Sequence, residues 1–389
     1  MFMQHIFPTY NRFPFEIVAG DGYTLSDQNG KNYLDFTSGI GVCNLGYNHP
    51  ILNQAVAQQL NQVWHTSNLY NSQLQEAVAT MLVPDESYLV SFCNSGTEAN
   101  EAALKLARKA SGKQTILAFD HSFHGRSYGS LSVTGNSAIK VGFGEMLPGV
   151  IYAQFNNPAA LDLITPDLAA VMLEVIQGEG GVNVADADWL QAVAAKCQES
   201  GVLLIVDEVQ TGMGRTGSKY AFQQFGIEPD IFTLAKGLAN GIPVGAMVGK
   251  AKLASAFGPG SHGSTFAGNP LAMTAAKEVL QIMDQDFLAC VHEKGHFFST
   301  YLQDKLTQLD CVTDITGLGM IQGIHLKETV PVGQVILDLQ AAGLLTISAK
   351  NNTLRLLPPL TMLASKLMAG CDLIQETLVN YAKKGTANE

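Results

Sequence analysis

The sequence predicts an α/β protein with a large domain on a mostly parallel central sheet and a smaller α+β domain beside it. Between about residue 50 and residue 270, short apolar runs alternate with longer amphipathic runs, a pattern typical of strands alternating with helices. The 389 residues are 47% hydrophobic and 15% charged, which is enough apolar material for a large core. A chain of this length rarely forms a single core, so we expect two domains.

Three apolar runs are the main strand candidates: residues 88–93 (YLVSFC), 168–176 (LAAVMLEVI) and 202–209 (VLLIVDEV). Each is followed by polar or turn-forming residues. Ligands of α/β proteins bind at the carboxyl ends of such strands, so the functional residues are expected there.

The predicted domains have boundaries near residues 50 and 270. Residues 1–50 mix turn residues with short apolar stretches and are expected to form the N-terminal segment of the smaller domain. Residues 51–270 form the large domain. Residues 271–389 contain helix-like segments and then strand-like pieces, and they supply the C-terminal part of the smaller domain.

The charge and the apolar pattern exclude two classes of partner. A net charge of −11 without any run of Lys or Arg disfavours binding to nucleic acid. No uninterrupted apolar segment approaches the roughly 20 residues that a membrane span needs, and the first residues do not resemble a secretion signal. We therefore expect a cytoplasmic protein without a membrane or nucleic-acid partner.

Asp207 and Lys236 each come at the end of an apolar run. A carboxylate after a buried strand is costly unless it meets a cation, although an isolated Asp there is usually a helix cap or part of a structural ion pair. Burial lowers the pKa of a lysine and frees its amine to attack a carbonyl group. An acid and a base at consecutive strand ends together indicate a catalytic site.

Ser95, Gly96 and Thr97 open a strongly amphipathic helix. Backbone amides at a helix start, with hydroxyls and a glycine that allows close approach, form a phosphate site. The alternative is an ordinary helix cap, with Glu98 well placed in the first turn. The pattern matches neither the dinucleotide-binding glycine motif nor the Walker loop, which disfavours a nicotinamide-dependent oxidoreductase and a nucleoside triphosphatase.

Phe123 and Arg126 lie in a polar loop after another apolar run. The ring could stack on a flat cofactor, and the guanidinium could bind a carboxylate through two hydrogen bonds. His121 and His124 lack the further ligands that a metal site requires, so we expect no metal.

Taken together, these motifs resemble the subgroup III, ornithine-type aminotransferases of fold type I. The resemblance covers essentially the whole chain and follows the family order: NSGTEANEAALKLAR, SFHGR, LEVIQGEGGV, LLIVDEVQTGMGRTG, LAKGLANGIPVGA, GSTFAGNPLA and LRLLPPL. It implies pyridoxal 5'-phosphate (PLP) as the cofactor and a ping-pong transfer of an amino group to 2-oxoglutarate.

The resemblance also implies a role for each residue around the cofactor ring. Lys236 would form the covalent link to PLP and carry the proton, and Asp207 would pair with the pyridine nitrogen. Phe123 and Val209 would cover the two faces of the ring, and Gln210 would reach the ring hydroxyl. An acid at the nitrogen keeps the ring protonated, so that it can accept electrons.

The same resemblance implies a homodimer with shared active sites. Ser95, Gly96 and Thr97 would hold the cofactor phosphate from one subunit, and Thr265, with Ser264, from the other.

For substrates, the resemblance implies that Arg355 binds the α-carboxylate of 2-oxoglutarate or glutamate and that Arg126 binds a distal carboxylate. Glu179 would pair with Arg355 while the amino donor is bound, and Glu174 would be a further acidic residue near the cofactor. The alternative for each is a salt bridge on the surface or between domains.

The donor implied by the amino-terminal segment is N-acetylornithine, used in arginine biosynthesis. Ile40 stands where ornithine-specific members carry a tyrosine, and an apolar residue suits an acylated donor. Succinylornithine, ornithine and 4-aminobutyrate remain candidate donors, because apolar pockets discriminate by only about 1–3 kcal/mol per methylene. Two competing functions are an aminomutase, which would keep the amino group on one substrate, and a nonenzymatic PLP-binding sensor.

Overall fold

The computed structural model describes residues 5–83 and 85–386. Residues 1–4, Pro84 and 387–389, which fall within the predicted domain ranges, lie outside the described residues. The strands, in chain order, are β1 Ile17–Asp21, β2 Thr24–Asp27, β3 Asn32–Asp35, β4 Tyr88–Cys93, β5 Thr115–Phe119, β6 Val150–Ala153, β7 Leu168–Leu173, β8 Ile176–Gln177, β9 Asn183–Val184, β10 Leu203–Asp207, β11 Ile231–Leu234, β12 Gly245–Lys250, β13 Val312–Leu318, β14 Ile321–Leu326, β15 Leu344–Leu345, β16 Ile347–Ala349 and β17 Thr353–Leu356.

The helices are interspersed among these strands. In chain order they are α1 Ser38–Gly41, α2 Pro50–Leu60, α3 Gln73–Leu82, α4 Gly96–Ser111, α5 Tyr128–Val133, α6 Ala187–Ser200, α7 Pro270–Ile282, α8 Gln285–Leu306, α9 Val332–Ala341 and α10 Ala364–Thr386. Short 3₁₀ segments are Ser137–Lys140, Pro158–Leu163, Ala221–Phe225, Lys236–Leu238 and Ala251–Phe257. No helix in the described part of the chain is long and apolar enough to cross a membrane.

The central sheet has seven strands in the order β4-β12-β11-β10-β7-β5-β6. Only β12 runs antiparallel to its neighbours. This arrangement confirms the predicted α/β class with a mostly parallel sheet.

Both faces of the central sheet are buried. Successive residues of β10 point to opposite faces: Val206 belongs to one apolar cluster and Ile205 to the other. Helix α4 covers the face of Ile205, and Trp189 of α6 packs in the cluster on the opposite face. Burial on two faces explains the continuous apolar runs in the sequence.

The strand candidates are confirmed in position, and two of them differ in length. Residues 88–93 form β4 as predicted, and the strand within 202–209 is Leu203–Asp207. The run 168–176 is not one strand: β7 ends at Leu173, and Ile176–Gln177 pairs with Asn183–Val184 in a separate hairpin. All residues of this run are buried, so apolar periodicity could not locate the break.

The two ends of the chain meet in a small sheet ordered β1-β2-β3-β15, in which Leu344 pairs with Leu34. A second small sheet, β13-β14-β17-β16, carries Arg355 on β17. The division into domains at residues 50 and 270 stays a prediction.

Candidate active site

A cleft of about 460 Å³ lies at the carboxyl ends of β10 and β11. These strands are parallel neighbours with Asp207 opposite Thr233, and Lys236 follows the end of β11 by two residues. The residues lining the cleft include eleven of the sequence-predicted ones: Ser95, Gly96, Thr97, Phe123, Arg126, Glu174, Glu179, Asp207, Val209, Gln210 and Lys236. The predicted acid and base therefore face one cavity.

Asp207 is 3% exposed and surrounded by hydrogen-bond donors. Its Oδ2 lies 2.7 Å from His124 Nδ1 and accepts a 2.8 Å hydrogen bond from Asn100 Nδ2. Its Oδ1 accepts a 3.0 Å hydrogen bond from the backbone N–H of Val209. Donors on both oxygens stabilise the ionised acid, which was expected to be costly in this position.

Lys236 lines the cleft. Burial lowers the pKa of its amine, and the charge of Arg355 acts in the same direction, whereas the carboxylates of Glu179 and Asp207 oppose the shift. The net effect is a pKa below the ordinary value of a lysine. Its backbone φ of 42° is uncommon for a side chain with a Cβ, as often occurs at functional positions.

Glu174 lies between β7 and β8, close to the acid and the base. Burial, together with the charge of Asp207, raises the pKa of its carboxyl well above the ordinary value. Its Oε2 accepts a 3.0 Å hydrogen bond from the backbone N–H of Phe123. Glu174 thus fixes the backbone of the aromatic residue that lines the cleft.

The start of α4 points its backbone amides at the cleft. Ser95 is the helix cap, and its Oγ accepts a 3.2 Å hydrogen bond from the N–H of Glu98, as an ordinary helix cap does. A Cβ on Gly96 would lie 2.7 Å from Val209 Cγ1, so this close approach favours glycine. Thr97 Oγ1 accepts a 3.3 Å hydrogen bond from the N–H of Ser127. The same residues can therefore serve as a cap and as an anion site.

Arg355 is buried and forms an ion pair with Glu179, a residue that lines the cleft. Its Nη1 lies 2.6 Å from Glu179 Oε1 and donates to Gln210 Oε1 at 3.2 Å. Burial acts to raise the pKa of Glu179, but the charge and hydrogen bond of Arg355, helped by the charge of Lys236 and a hydrogen bond with Gln210, hold this pKa below its ordinary value. Arg355 was predicted as a substrate residue, and in this chain its guanidinium is occupied by the predicted partner carboxylate.

Besides Arg355, three predicted residues do not line the cleft of the single chain. Ile40 is 45% exposed, with a left-handed φ of 69° that is rare for a β-branched residue. Ser264 Oγ accepts a 2.8 Å hydrogen bond from Asn94, near the start of α4, and Thr265 is exposed. Their predicted roles need a partner subunit or a substrate.

Sequence reasoning missed several lining residues, among them Val42, Asn94 and Asn100. From the sequence, we considered His124 only as a possible metal ligand. In the structure, its Nδ1 lies 2.7 Å from Asp207 Oδ2. No group of side chains in residues 5–83 and 85–386 is arranged to hold a metal ion. The sequence signal that could have pointed to Asn100 is a polar residue among the apolar positions of the amphipathic helix α4.

Comparisons with known proteins agree with this geometry. The family model of class-III aminotransferases matches residues 7–378. Two similar proteins are acetylornithine aminotransferases, one from Lactiplantibacillus plantarum (58% identity, all of both chains) and one from Listeria monocytogenes serotype 4b (54% identity, 97% of this chain and 98% of the relative).

Solved structures of related enzymes superpose on the chain. N-acetylornithine aminotransferase from Stenotrophomonas maltophilia has 31% identity and a TM-score of 0.81, covering 94% of this chain and 95% of its own. Ornithine aminotransferase from Toxoplasma gondii has 28% identity and a TM-score of 0.93, covering 98% and 93%.

Proposed function

The chain belongs to the class-III aminotransferase family, and we propose that it moves the δ-amino group of N-acetylornithine to 2-oxoglutarate. The products are N-acetylglutamate 5-semialdehyde and glutamate, and the reaction is a step of arginine biosynthesis. The observation that carries the proposal is the cleft that Asp207 and Lys236 both line, in a chain 58% identical to an acetylornithine aminotransferase.

The side chains fit PLP, the cofactor of this family. Asp207 offers a fixed carboxylate to a cationic ring nitrogen, and Phe123 and Val209 offer apolar surfaces to the ring faces. The start of α4 offers backbone amides to a phosphate, with Gly96 pressed so close to Val209 that a Cβ would clash. When bound, PLP withdraws electrons from the carbon that carries the substrate amine.

Lys236 is the residue that we expect to move the proton. Because burial lowers the pKa of its amine, a larger fraction is uncharged near neutral pH than in an exposed lysine. An uncharged amine can take a proton from the donor carbon in the first half-reaction. In the second half-reaction it can deliver a proton to the carbon of 2-oxoglutarate that receives the amino group. Three donors hold the Asp207 carboxylate in a fixed position at the cleft.

Arg355 and Glu179 are expected to adapt the cleft to two substrates. In the pair observed here, Glu179 neutralises Arg355, which suits a donor whose reacting end carries no carboxylate. The keto acid brings its own α-carboxylate, which would replace Glu179 on the guanidinium. Arg126 is exposed at the cleft and is placed to accept a distal carboxylate.

We also infer a homodimer with shared sites. Leu69 and Tyr70 are 90% and 72% exposed, and Phe266 is 61% exposed. Asn68 Nδ2 donates to Ala267 O at 3.0 Å and so joins these two segments into one apolar surface, which also contains Thr265. Large exposed apolar patches indicate protein interfaces. A second copy covering this surface would bring Thr265 toward the cleft of its partner.

The experiment that tests the proposed function uses the PLP-loaded protein with a panel of donors. With 2-oxoglutarate, N-acetylornithine is expected to give glutamate with the highest kcat/KM among N-acetylornithine, N-succinylornithine, ornithine and 4-aminobutyrate. A higher kcat/KM for another donor would identify that donor, and not N-acetylornithine, as the preferred substrate. An absence of glutamate with all four, or cofactor absorbance unchanged by every donor, would contradict aminotransferase activity.

A further inference from the structure

Asn100 occupies a position inside α4 where the surrounding pattern is apolar. Asparagine is disfavoured in helix interiors because its side chain competes with the backbone for hydrogen bonds. Ala103 and Ala107, three and seven positions further along the same face, are buried. Asn100 is itself only 1% exposed, so its amide would be costly if it lacked partners.

The amide of Asn100 is satisfied by three different segments of the chain. Its Nδ2 donates to Asp207 Oδ2 at 2.8 Å and to the backbone carbonyl of His124 at 2.7 Å. Its Oδ1 accepts a 2.7 Å hydrogen bond from Thr233 Oγ1. Both amide hydrogens are used, and the third contact comes from the strand beside Asp207.

These partners fix the orientation of the amide. If the amide of Asn100 were flipped, its oxygen would face a carboxylate oxygen and a carbonyl oxygen, and all three would be acceptors. The single hydroxyl proton of Thr233 is directed to Asn100, so Thr233 has no proton left for Asp207 Oδ1 at 3.5 Å. Thr233 therefore acts on Asp207 through Asn100.

We propose that Asn100 is a positioning residue for the aminotransferase reaction, holding the Asp207 carboxylate and the segment Phe123–His124 in one fixed relative arrangement. This inference rests on the proposed function. Asn100 and His124 both donate to Asp207 Oδ2, which fills that oxygen. Among the residues that the structure describes, Oδ1 accepts at short distance only the Val209 N–H, so it keeps an acceptor position for the cofactor ring.

The decisive variant is Asn100→Asp, which keeps the shape and replaces the amide donors with a carboxyl group. Once ionised, this carboxyl would repel Asp207 Oδ2 and the carbonyl of His124, whereas its protonated form can still donate one hydrogen bond. Burial beside Asp207 raises the pKa of such a group. We therefore expect PLP affinity in the variant to fall as pH rises from about 5 to about 9. The final loss should be about tenfold or more relative to the unmodified chain, since a hydrogen bond to a charged group is removed.

Two further variants complete the experiment. Asn380→Asp makes the same charge change at an exposed position of α10 and should match the unmodified chain at every pH. Thr233→Val removes only the proton donated to Asn100 Oδ1 and should weaken PLP binding by a smaller factor that does not depend on pH.

PLP dissociation constants are measured by equilibrium dialysis together with the cofactor absorbance. The proposal is overturned if Asn100→Asp binds PLP like the unmodified chain across the pH range, or if its loss is the same at every pH, as a packing defect would give. Should Asn100→Asp fail to fold, unchanged PLP binding in Thr233→Val overturns it instead. Failure of the unmodified chain to bind PLP would contradict the proposed function, a result distinct from either of these.

Discussion

The two ends of the cleft are built differently. At the Asp207 end, the side chains of Asp207 and His124 are 4% and 0% exposed, and each carboxylate oxygen accepts from fixed donors. At the Arg355 end, one ion pair joins Arg355, whose side chain is 3% exposed, to Glu179, whose side chain is 34% exposed. A closed network suits a cofactor that stays bound throughout the cycle, and a single partly exposed pair suits two substrates that alternate.

The largest effect is expected at the Asp207 end. Asp207→Asn keeps the shape but removes the charge that holds a ring nitrogen cationic, so kcat/KM should fall by about a hundredfold or more in both half-reactions. Stopped-flow absorbance with N-acetylornithine alone, and then with 2-oxoglutarate alone, measures the two losses. A loss confined to one half-reaction would show that this end is not shared by both substrates.

Arg355→Ala should separate the two half-reactions. Removing a buried charged contact costs about 2–5 kcal/mol, so the half-reaction with 2-oxoglutarate should slow by about a hundredfold. The donor half-reaction should slow less than about tenfold, because a donor without a carboxylate at its reacting end has no need of this guanidinium. Equal losses of rate in the two half-reactions, measured in single turnovers, would contradict the proposal that the Arg355 end adapts to two substrates.

Gly96→Ala tests how tightly the start of α4 packs against Val209 at the Asp207 end. The added Cβ would lie 2.7 Å from Val209 Cγ1, and overpacking of this kind costs about 1–3 kcal/mol. We expect PLP affinity to fall by about tenfold. Gly333→Ala is the matched control, since its Cβ would meet nothing within 4 Å and it lies in α9. If both variants bind PLP equally well, the helix start is not pressed against the cofactor site.

The smallest effect is expected for Glu179→Gln. The amide keeps a hydrogen bond to Arg355 but loses the charge, so the donor half-reaction should slow a few-fold while the 2-oxoglutarate half-reaction stays equal or becomes faster. Because Arg355 holds the pKa of Glu179 below its ordinary value, the ion pair persists through neutral pH and is lost only as pH falls through that lowered pKa. The ratio of the two half-reaction rates should accordingly be constant near neutral pH. If Glu179→Gln slowed both half-reactions equally, Glu179 would not be exchanging with the substrate carboxylate on Arg355.

The sequence predicted what depends on local pattern. The apolar runs before Asp207 and Lys236 located both residues at neighbouring strand ends, and the run 88–93 predicted β4 at its full length. Glu174 was harder to place, because it interrupts a run in which every residue is buried, so no change of pattern shows where the sheet ends.

Contacts between distant parts of the chain could not be predicted in this way. The hydrogen bond between Asn100 and Asp207 spans 107 positions, and the pair of Arg355 with Glu179 spans 176. The resemblance to a family supplied the second pair but not the first. Side-chain networks of this kind follow from the packing of whole elements, which no local periodicity encodes.

Covalent labelling of the PLP-loaded chain tests most directly whether Lys236, at the carboxyl end of β11, is the residue that binds the cofactor. Borohydride reduction followed by peptide mapping should place the pyridoxyl group on the peptide that contains Lys236, and the label should disappear in Lys236→Ala. Label on any other lysine, or no label in a chain that absorbs as a PLP complex, would contradict the account.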